Sequence, residues 1–400
     1  MQLAVRNRKM KNSIYLDYNA TTPCDKEVVK AMLPYFSDTF GNASSQHHAF
    51  GWLASDALEQ SAHSLSKVLG VLPNELVFTS GATESCNTVI KGVFEAASPH
   101  KNHIITTQTE HKAVLDVCKQ LEKNGAKVTY LEVDDQGVIS LDALQKAITE
   151  QTALVCIMWA NNETGVLQPL ASISAICKEK GVLLFSDATQ VLGKIKLDSF
   201  FNWVDFACFS AHKIYGPKGV GLLFSKKSAH SQWGSFIQGG GQQRKRRGGT
   251  YNIPGIVGLA KAVALNLKTQ EETSQRLEAF RNEIENKLIQ LEGVQVNGGL
   301  ADRLPNTLNV SIAYVDGEQL LNVLGQEIAV SNGSACNSAA VHPSHVLTAM
   351  GVESTLAMAS LRISLGKFNT PTEIEQAVEK IIQCVSNLRA KNILWTDRKS

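Results

Sequence analysis

The feature that most constrains the fold is an alternation of short apolar runs with amphipathic segments along the first half of the chain. The apolar runs predict strands at residues 75–78, 103–107, 127–131, 153–159, 182–185, 204–209 and 220–224. Helical periodicity lies between most of them, at residues 84–97, 111–123, 141–150 and 170–180. Continuously apolar strands that alternate with helices favour an α/β fold with a mostly parallel sheet between two layers of helices.

Four hundred residues exceed what one hydrophobic core usually holds, so we expect more than one domain. We predict a large domain over residues 22–262, with residues 1–21 and 263–400 forming a smaller α+β domain. In the second of these segments, strands predicted at 306–312, 328–331 and 361–365 mix with helices at 316–326, 343–350 and 371–388. A long helical stretch over residues 255–291 would connect the two domains.

The composition excludes several classes of protein. A net charge of +2 gives no support for direct nucleic-acid binding, and no apolar run approaches the roughly 20 residues that span a bilayer. Eight cysteines occur without a CxxC motif or a metal-type pairing with histidine, so we predict no metal site and a reducing cytoplasm. Residues 1–11 are basic, and we interpret them as a solvated tail rather than a transit peptide.

A lysine follows the apolar run at residues 204–209. Gly216, Pro217 and Gly219 end regular structure soon afterwards, so Lys213 would lie just beyond a strand end. A lysine held in a partly desolvated site loses proton affinity and becomes a nucleophile toward a carbonyl group. Lys213 is therefore our candidate for a reactive amine.

Two other strand ends carry polar groups where ligands of such sheets usually bind. Residues 79–85, which include Thr83, form a small-residue turn into a helix. This turn is either an anion site for a phosphate or an ordinary cap. Asp187 ends a very apolar run, where a carboxylate needs a partner. That partner is either a protonated pyridine nitrogen or a group of the protein itself.

His111 and Arg362 each leave two interpretations open. His111 follows the strand predicted at residues 103–107 and either shuttles protons beside a cofactor or caps a helix. Arg362 lies inside a predicted strand, where a buried guanidinium usually meets a carboxylate. That carboxylate belongs either to a substrate or to the protein.

Cys336 has only small or polar neighbours, in the run Asn332-Gly333-Ser334-Ala335-Cys336-Asn337-Ser338. An accessible thiol in such a loop suits a redox or sulfur-transfer step if it can form a thiolate. Residues 239–250 are glycine-rich and basic, and we expect a loop there that makes mixed anion and subunit contacts. Nucleic-acid contact is disfavoured because aromatic residues are not interleaved with the basic ones.

Taken together, these segments resemble the cysteine desulfurases of the NifS/IscS type. Those proteins form part of the class V aminotransferase branch of the fold-type-I pyridoxal-phosphate enzymes. The resemblance runs from about residue 15 to the last predicted helix and rests on ten motifs in family order. They are YLDYNATTP, GNASS, FTSGATES, TEHKAV, NNETGVLQP, SDATQ, FSAHKIYGPKGVG, GGG…RRGGT, SNGSACNSA and LRISLG.

The resemblance implies pyridoxal 5'-phosphate as the cofactor and gives each binding residue a role. Lys213 would hold it covalently as a Schiff base, Asp187 would face the pyridine nitrogen, and His111 would stack on the ring. Gln190 and Asn162 would contact the hydroxyl side of the ring. The phosphate would be bound by Ala82, Thr83, Ser210 and His212. Thr250 would reach the phosphate in the partner subunit.

The resemblance also implies the reaction and the partners. Arg362 and Asn162 would bind the substrate L-cysteine, and Cys336 would take its sulfur as a persulfide and leave L-alanine. The chain would be a homodimer that passes sulfur to a protein acceptor, such as an iron–sulfur scaffold or a tRNA-thiolation protein. Alternatives are another fold-type-I enzyme, such as an aminotransferase or selenocysteine lyase, and a non-catalytic protein with a relic pocket.

Overall fold

The computed structural model describes residues 13–97, 99–332 and 342–397. The basic N-terminal tail and Cys336, both subjects of predictions above, lie outside these ranges. Across the described ranges, no helix is both long and apolar enough to cross a membrane.

The strands of the described residues fall into three sheets. They are β1 Ile14–Tyr15, β2 Leu76–Thr79, β3 His103–Thr107, β4 Lys127–Leu131, β5 Thr152–Cys156, β6 Leu183–Asp187, β7 Phe206–Ser210, β8 Gly221–Ser225, β9 Val294–Val296, β10 Thr307–Ile312, β11 Ile328–Ala329 and β12 Ser360–Ser364.

The helices of the described residues surround these sheets. They are α1 Lys26–Met32, α2 Pro34–Ser37, α3 Ala49–Leu69, α4 Ala82–Ala97, α5 Lys112–Glu122, α6 Leu141–Ala147, α7 Leu170–Lys180, α8 Phe200–Trp203, α9 Gln242–Lys245, α10 Ile253–Lys268, α11 Gln270–Leu288, α12 Gly317–Leu324, α13 His345–Ala349, α14 Ser354–Met358, α15 Pro371–Arg389 and α16 Ile393–Thr396.

The main sheet has seven strands in the order β2-β8-β7-β6-β5-β3-β4. Only β8 runs antiparallel to its neighbours, so the prediction of a mostly parallel sheet is confirmed. The strand predicted at residues 153–159 ends early, at Cys156. Beyond it, the N–H groups of Ile157 and Trp159 still donate to Phe185 O and Asp187 O of β6, whereas that of Met158 donates to Glu110 Oε1 at 2.5 Å.

Both faces of the main sheet are buried under helices. Along β7, Phe206 and Cys208 pack on one face with residues of α4 and α5, while Ala207 and Phe209 pack on the other with residues of α7 and α10. Such two-sided burial explains why this strand is apolar without alternation. The carboxyl ends of the parallel strands β2, β3, β5, β6 and β7 therefore share one edge, and the loops that follow them carry the predicted site residues.

A separate core lies around the antiparallel sheet β12-β10-β9. Leu308 and Val310 of β10 pack there against α11 and α15, together with Ile14 and Leu16 from the start of the described chain. β1 pairs with β11 in a parallel two-stranded sheet. The domain limits stay a prediction, and the proposed boundary after residue 262 lies inside α10. The expected long connector is two helices, separated at Thr269.

Candidate active site

Lys213 lies at the end of a single helical turn that follows β7. Its Nζ donates to two main-chain oxygens of the N-terminal segment, Asn19 O at 2.6 Å and Ala20 O at 2.7 Å. Burial, helped by the charge of Arg362, lowers the pKa of Lys213 to about 8, although the carboxylates of Asp187 and Asp17 oppose the shift. A substantial fraction of the amine is therefore neutral near physiological pH and able to attack a carbonyl group.

Asp187 is the last residue of β6 and is almost fully buried. Its Oδ1 accepts hydrogen bonds from the backbone N–H of Thr189 at 2.9 Å and from the thiol of Cys208 at 3.4 Å. The thiol of Cys86 lies 3.8 Å from that of Cys208. These distances fit a chain of weak hydrogen bonds that ends on Asp187, so the cluster needs no metal ion to explain it.

The turn between β2 and α4 packs closely against the end of β7 and the start of β8. A Cβ on Gly221 would lie only 2.6 Å from Gly81 Cα, so a side chain there would push the turn away. The hydroxyl of Ser210 is 3.6 Å from the position that a Cβ on Gly81 would take. A hydroxyl thus lies beside the N-terminus of a 16-residue helix, whose first N–H groups have no partner within the helix. Ala82 is half-buried at this end, and Thr83 is exposed.

The two predicted histidines have different settings. His111 is exposed and caps α5, accepting a hydrogen bond on Nδ1 from the backbone N–H of Ala113 at 3.1 Å. That bond places the ring proton on Nε2 when His111 is neutral. His212 lies within 3.1 Å of the hydroxyl of Thr21 through Nδ1. Burial and the charge of Lys213 lower the pKa of His212 to about 4, so its ring is neutral at physiological pH.

Arg362 in β12 is buried and donates through Nη2 to Asp17 Oδ1 at 2.7 Å. Its Nη1 donates to the main-chain oxygen of Asn162 at 3.2 Å. Its Nε has no partner among the described residues. The protein's own carboxylate therefore pairs with this arginine, while the Nε–H remains for another acceptor.

Gln190 is buried, and both ends of its amide are used: Nε2 donates to Asn19 O at 3.0 Å, and Oε1 accepts from Lys194 at 2.6 Å. Thr250 is exposed in the glycine-rich loop. Within this loop, α9 is not a regular α-helix, because three of its residues, at positions 243 to 245, have left-handed backbone angles. Arg247 of the same loop forms a two-pronged ion pair with Glu84 in the first turn of α4, with N–O distances of 3.0 and 3.3 Å.

The structure brings together the side chains or backbones of most predicted site residues, namely Lys213, Asp187, Gln190, Asn162, Ser210, His212 and Arg362. Asn19, Lys194 and Asp17 were missed. Asn19 and Asp17 belong to the motif YLDYNATTP, whose own residues gave no chemical signal. Lys194 stands alone between apolar residues, which is the one pattern that could have marked it as an inward-facing amine.

Comparisons with known proteins decide the family. The family model described as "Aminotransferase class-V" matches residues 14–377. The chain belongs to the aminotransferase class-V family. It is 45% identical over 387 residues to a protein of Rickettsia peacockii (strain Rustic) named "Cysteine desulfurase IscS", covering 96% of this chain and 93% of that one.

Solved structures of class-V aminotransferase relatives agree. A structure described as "NIFS-LIKE PROTEIN" is 41% identical, has a TM-score of 0.87 and covers 94% of this chain and 100% of its own. Another, "SspA in complex with cysteine", is 36% identical with a TM-score of 0.77, covering 90% of this chain and 100% of its own. The recognition from sequence and the fold class are thereby confirmed.

Pyridoxal 5'-phosphate is the cofactor of this family, and the donor set at the sheet edge fits it. Lys213 offers an amine of lowered pKa for the aldehyde, and Asp187 offers a carboxylate for the pyridine nitrogen. The start of α4, with Ser210 beside it, offers N–H groups and a hydroxyl for the phosphate.

Proposed function

We propose that this chain is a pyridoxal-phosphate-dependent cysteine desulfurase that converts L-cysteine to L-alanine and carries the sulfur as a persulfide on Cys336. The observation that carries the proposal is the setting of Lys213, a partly neutral amine within electrostatic reach of both Asp187 and Arg362. Full-length relatives named as cysteine desulfurases support it.

Different residues of this chain have different roles in the proposed reaction. Lys213 binds the cofactor and moves protons at the substrate α-carbon, while Asp187 keeps the pyridine nitrogen protonated. When bound, the cofactor supplies an electron sink for that carbon. Arg362 orients the substrate carboxylate with its free Nε–H, and His111 holds a proton on Nε2 at the rim.

Sulfur transfer falls to Cys336. Its thiolate forms an S–S bond with the substrate sulfur as the substrate C–S bond breaks, and the carbon fragment takes up a proton to become alanine. The described residues on either side of this segment are fixed beside the site. Ser331 pairs with Arg362 through backbone hydrogen bonds of 2.6 and 3.2 Å, and Ser344 donates to Glu163 Oε2 at 2.5 Å, next to Asn162.

The direct test is to incubate purified protein with L-cysteine and a reductant and to quantify alanine and sulfide. We expect both products in equal amounts, with none from Lys213→Ala. Cys336→Ser should fail to release sulfide while keeping the absorption of the bound cofactor. If the wild type forms no alanine, the proposal is wrong. If Cys336→Ser retains full turnover, a lyase or aminotransferase reaction explains the site instead.

We also propose a homodimer. Exposed apolar side chains occur between residues 33 and 53, from the residue before α2 to the first turn of α3; they are Leu33, Phe36, Phe40, Phe50, Trp52 and Leu53. On α3, Ala54 and Ala57 pack against Ile253 and Tyr251, the neighbour of Thr250. A patch of this kind marks an interface, and a second copy there would bring Thr250 to the partner's site.

Sedimentation of the holoenzyme tests the interface. Trp52→Glu together with Phe36→Glu should yield monomers that hold less cofactor, because Thr250 then contacts no partner phosphate. Leu300→Glu, at a side chain that is 91% exposed elsewhere on the surface, is the control and should leave the dimer intact. A patch variant that sediments as the wild-type dimer would rule this interface out.

The proposed acceptor of the sulfur is a protein thiol. Such a thiol, on an iron–sulfur scaffold or a tRNA-thiolation protein, would receive it by exchange with the persulfide. We place the enzyme in the cytoplasm because its eight cysteines are spread without a CxxC motif, a usage that suits a reducing compartment. Mass spectrometry of candidate acceptors mixed with the sulfur-loaded enzyme would identify the recipient.

A further inference from the structure

A second lysine lies beside Lys213 and has no part in the chemistry proposed above. Lys194 directs its amine inward, where Nζ donates to Asn19 Oδ1 at 3.0 Å and to Gln190 Oε1 at 2.6 Å. The ion pairs of the described residues do not include it. Burial, followed by repulsion from Lys213 and Arg362, lowers the pKa of Lys194 well below its usual range.

A neutral amine fits these contacts. Without its extra proton, an amine has two N–H donors, and Lys194 makes two hydrogen bonds, both to amide oxygens. The bonds also fix the amides themselves. Because Gln190 Oε1 must face Lys194, its NH2 group must face the main-chain oxygen of Asn19, to which it donates at 3.0 Å.

Asn19 connects this lysine to the reactive one. Its hydrogen-bonding groups are all occupied, by partners from both halves of the structure: Ser364, Asn162, Thr307, Asn306, Lys194, Gln190 and Lys213. The side-chain oxygen receives Lys194, and the main-chain oxygen receives Lys213 at 2.6 Å. The residue can therefore occupy only one orientation while Lys194 is in place.

We propose that Lys194 is a positioning residue for Lys213: its two hydrogen bonds fix the amides of Asn19 and Gln190, and thereby the carbonyl that holds the Lys213 amine. The inference rests on the proposed function only in taking Lys213 as the reactive group.

The direction in which the pKa of Lys213 should change when Lys194 is replaced follows from the charges around Lys213. The titratable or charged groups that face it are Arg362, Asp187, Asp17, His212 and Lys194. Because burial lowers the pKa of Lys194, its repulsion of the protonated Lys213 is weak, and removing Lys194 relieves little repulsion. Its removal instead leaves Gln190 Oε1 without the Lys194 donor and Asn19 Oδ1 with Asn306 alone, which loosens the Gln190 amide that donates to the Asn19 carbonyl. Since that carbonyl stabilises the protonated Lys213, the pKa of Lys213 should fall.

The test is the pH dependence of Lys213 acylation in the full-length protein freed of cofactor, with folding verified by circular dichroism. Acetylation of the peptide containing Lys213 is followed by mass spectrometry from pH 6 to 10. Lys194→Met should lower the midpoint by about half to one pH unit, which makes labelling below the midpoint roughly three to ten times faster. Lys196→Met is the matched control, since Lys196 lies two residues away and its side chain is 58% exposed.

A second variant keeps the test decisive if Lys194→Met folds poorly. Lys194→Gln keeps an NH2 donor on a shorter side chain, so it should retain one of the two bonds and give a smaller downward shift. A midpoint equal to that of the wild type in both variants would overturn the proposal. A rise would also overturn it, because it would show that Lys194 is charged and acts by repulsion. The result does not depend on turnover of L-cysteine, so it stands or falls separately from the desulfurase assignment.

Discussion

The ion pair between Arg247 and Glu84 should contribute substantially to stability. It ties the basic loop to the first turn of α4, with two N–O distances of 3.0 and 3.3 Å. The Glu84 side chain is only 6% exposed and that of Arg247 is 24% exposed. Breaking a buried pair costs about 3–5 kcal/mol, whereas exposed pairs are worth about 0–1 kcal/mol. This intermediate case should show a coupling of about 2 kcal/mol.

Two features of Glu84 set the size and the pH dependence of this coupling. Its Oε2 also accepts the backbone N–H of Ser80 at 2.8 Å, which keeps the carboxylate partly stabilised after Arg247 is lost. Burial alone would raise the pKa of Glu84, but the bonds from Arg247 and Ser80 outweigh it and hold the pKa below its usual value. A lowered carboxylate pKa stabilises the fold above the unfolded-state pKa, and the contribution disappears as pH falls through the lower, folded-state value.

A double-mutant cycle in urea at neutral pH measures the coupling. The four proteins are the wild type, Arg247→Met, Glu84→Gln and the double variant, and Glu84→Gln mimics the protonated acid without acidifying the solution. Arg244→Met, on the same loop but exposed, is the control and should show no coupling to Glu84→Gln. A coupling below about 0.5 kcal/mol, the range of surface pairs, would refute the reasoning.

Two further predictions concern pH. With a pKa of about 8, the neutral fraction of Lys213 rises from about one tenth at pH 7 to about nine tenths at pH 9. Capture of added cofactor, followed by absorbance, should accelerate about tenfold over that range, and a flat profile would contradict the assignment. Burial raises the pKa of Glu163 to about 7 despite the bond from Ser344, so the folded state binds the extra proton. Stability should therefore fall as pH rises from about 4.5 to 7. Glu163→Gln should weaken that fall, whereas parallel curves for the two proteins would argue against it.

Local sequence predicted the architecture well where the pattern itself determines the structure. The strand predictions at residues 103–107 and 127–131 agree with β3 and β4, and the helix prediction at 170–180 agrees with α7. Buried parallel strands have continuous apolar runs, and the polar residues that follow them lie at the common carboxyl edge. The sequence pattern therefore suffices to predict that Lys213 and Asp187 belong to one site.

Long-range partners could not be predicted in the same way. Gln243 shows why: its side-chain amide bonds both the N–H and the C=O of Phe78 at 2.7 Å and covers one side of β2, 165 residues away in sequence. Nothing in a glycine-rich basic run indicates that contact. Asn19 and Lys194 are similar, because their importance comes from bonds across 175 residues that no periodicity records. The N–H of Met158, just beyond β5, likewise donates to Glu110, a side chain from another loop.

The central claim is that Lys213 is the amine that holds the cofactor. Borohydride reduction of the holoenzyme, followed by proteolysis and mass spectrometry, tests it most directly. The account predicts a pyridoxyl-phosphate adduct on the peptide that contains Lys213 and no adduct in Lys213→Ala. An adduct on Lys194 or on any other lysine, or an unmodified Lys213 in protein that retains the colour of bound cofactor, would contradict it.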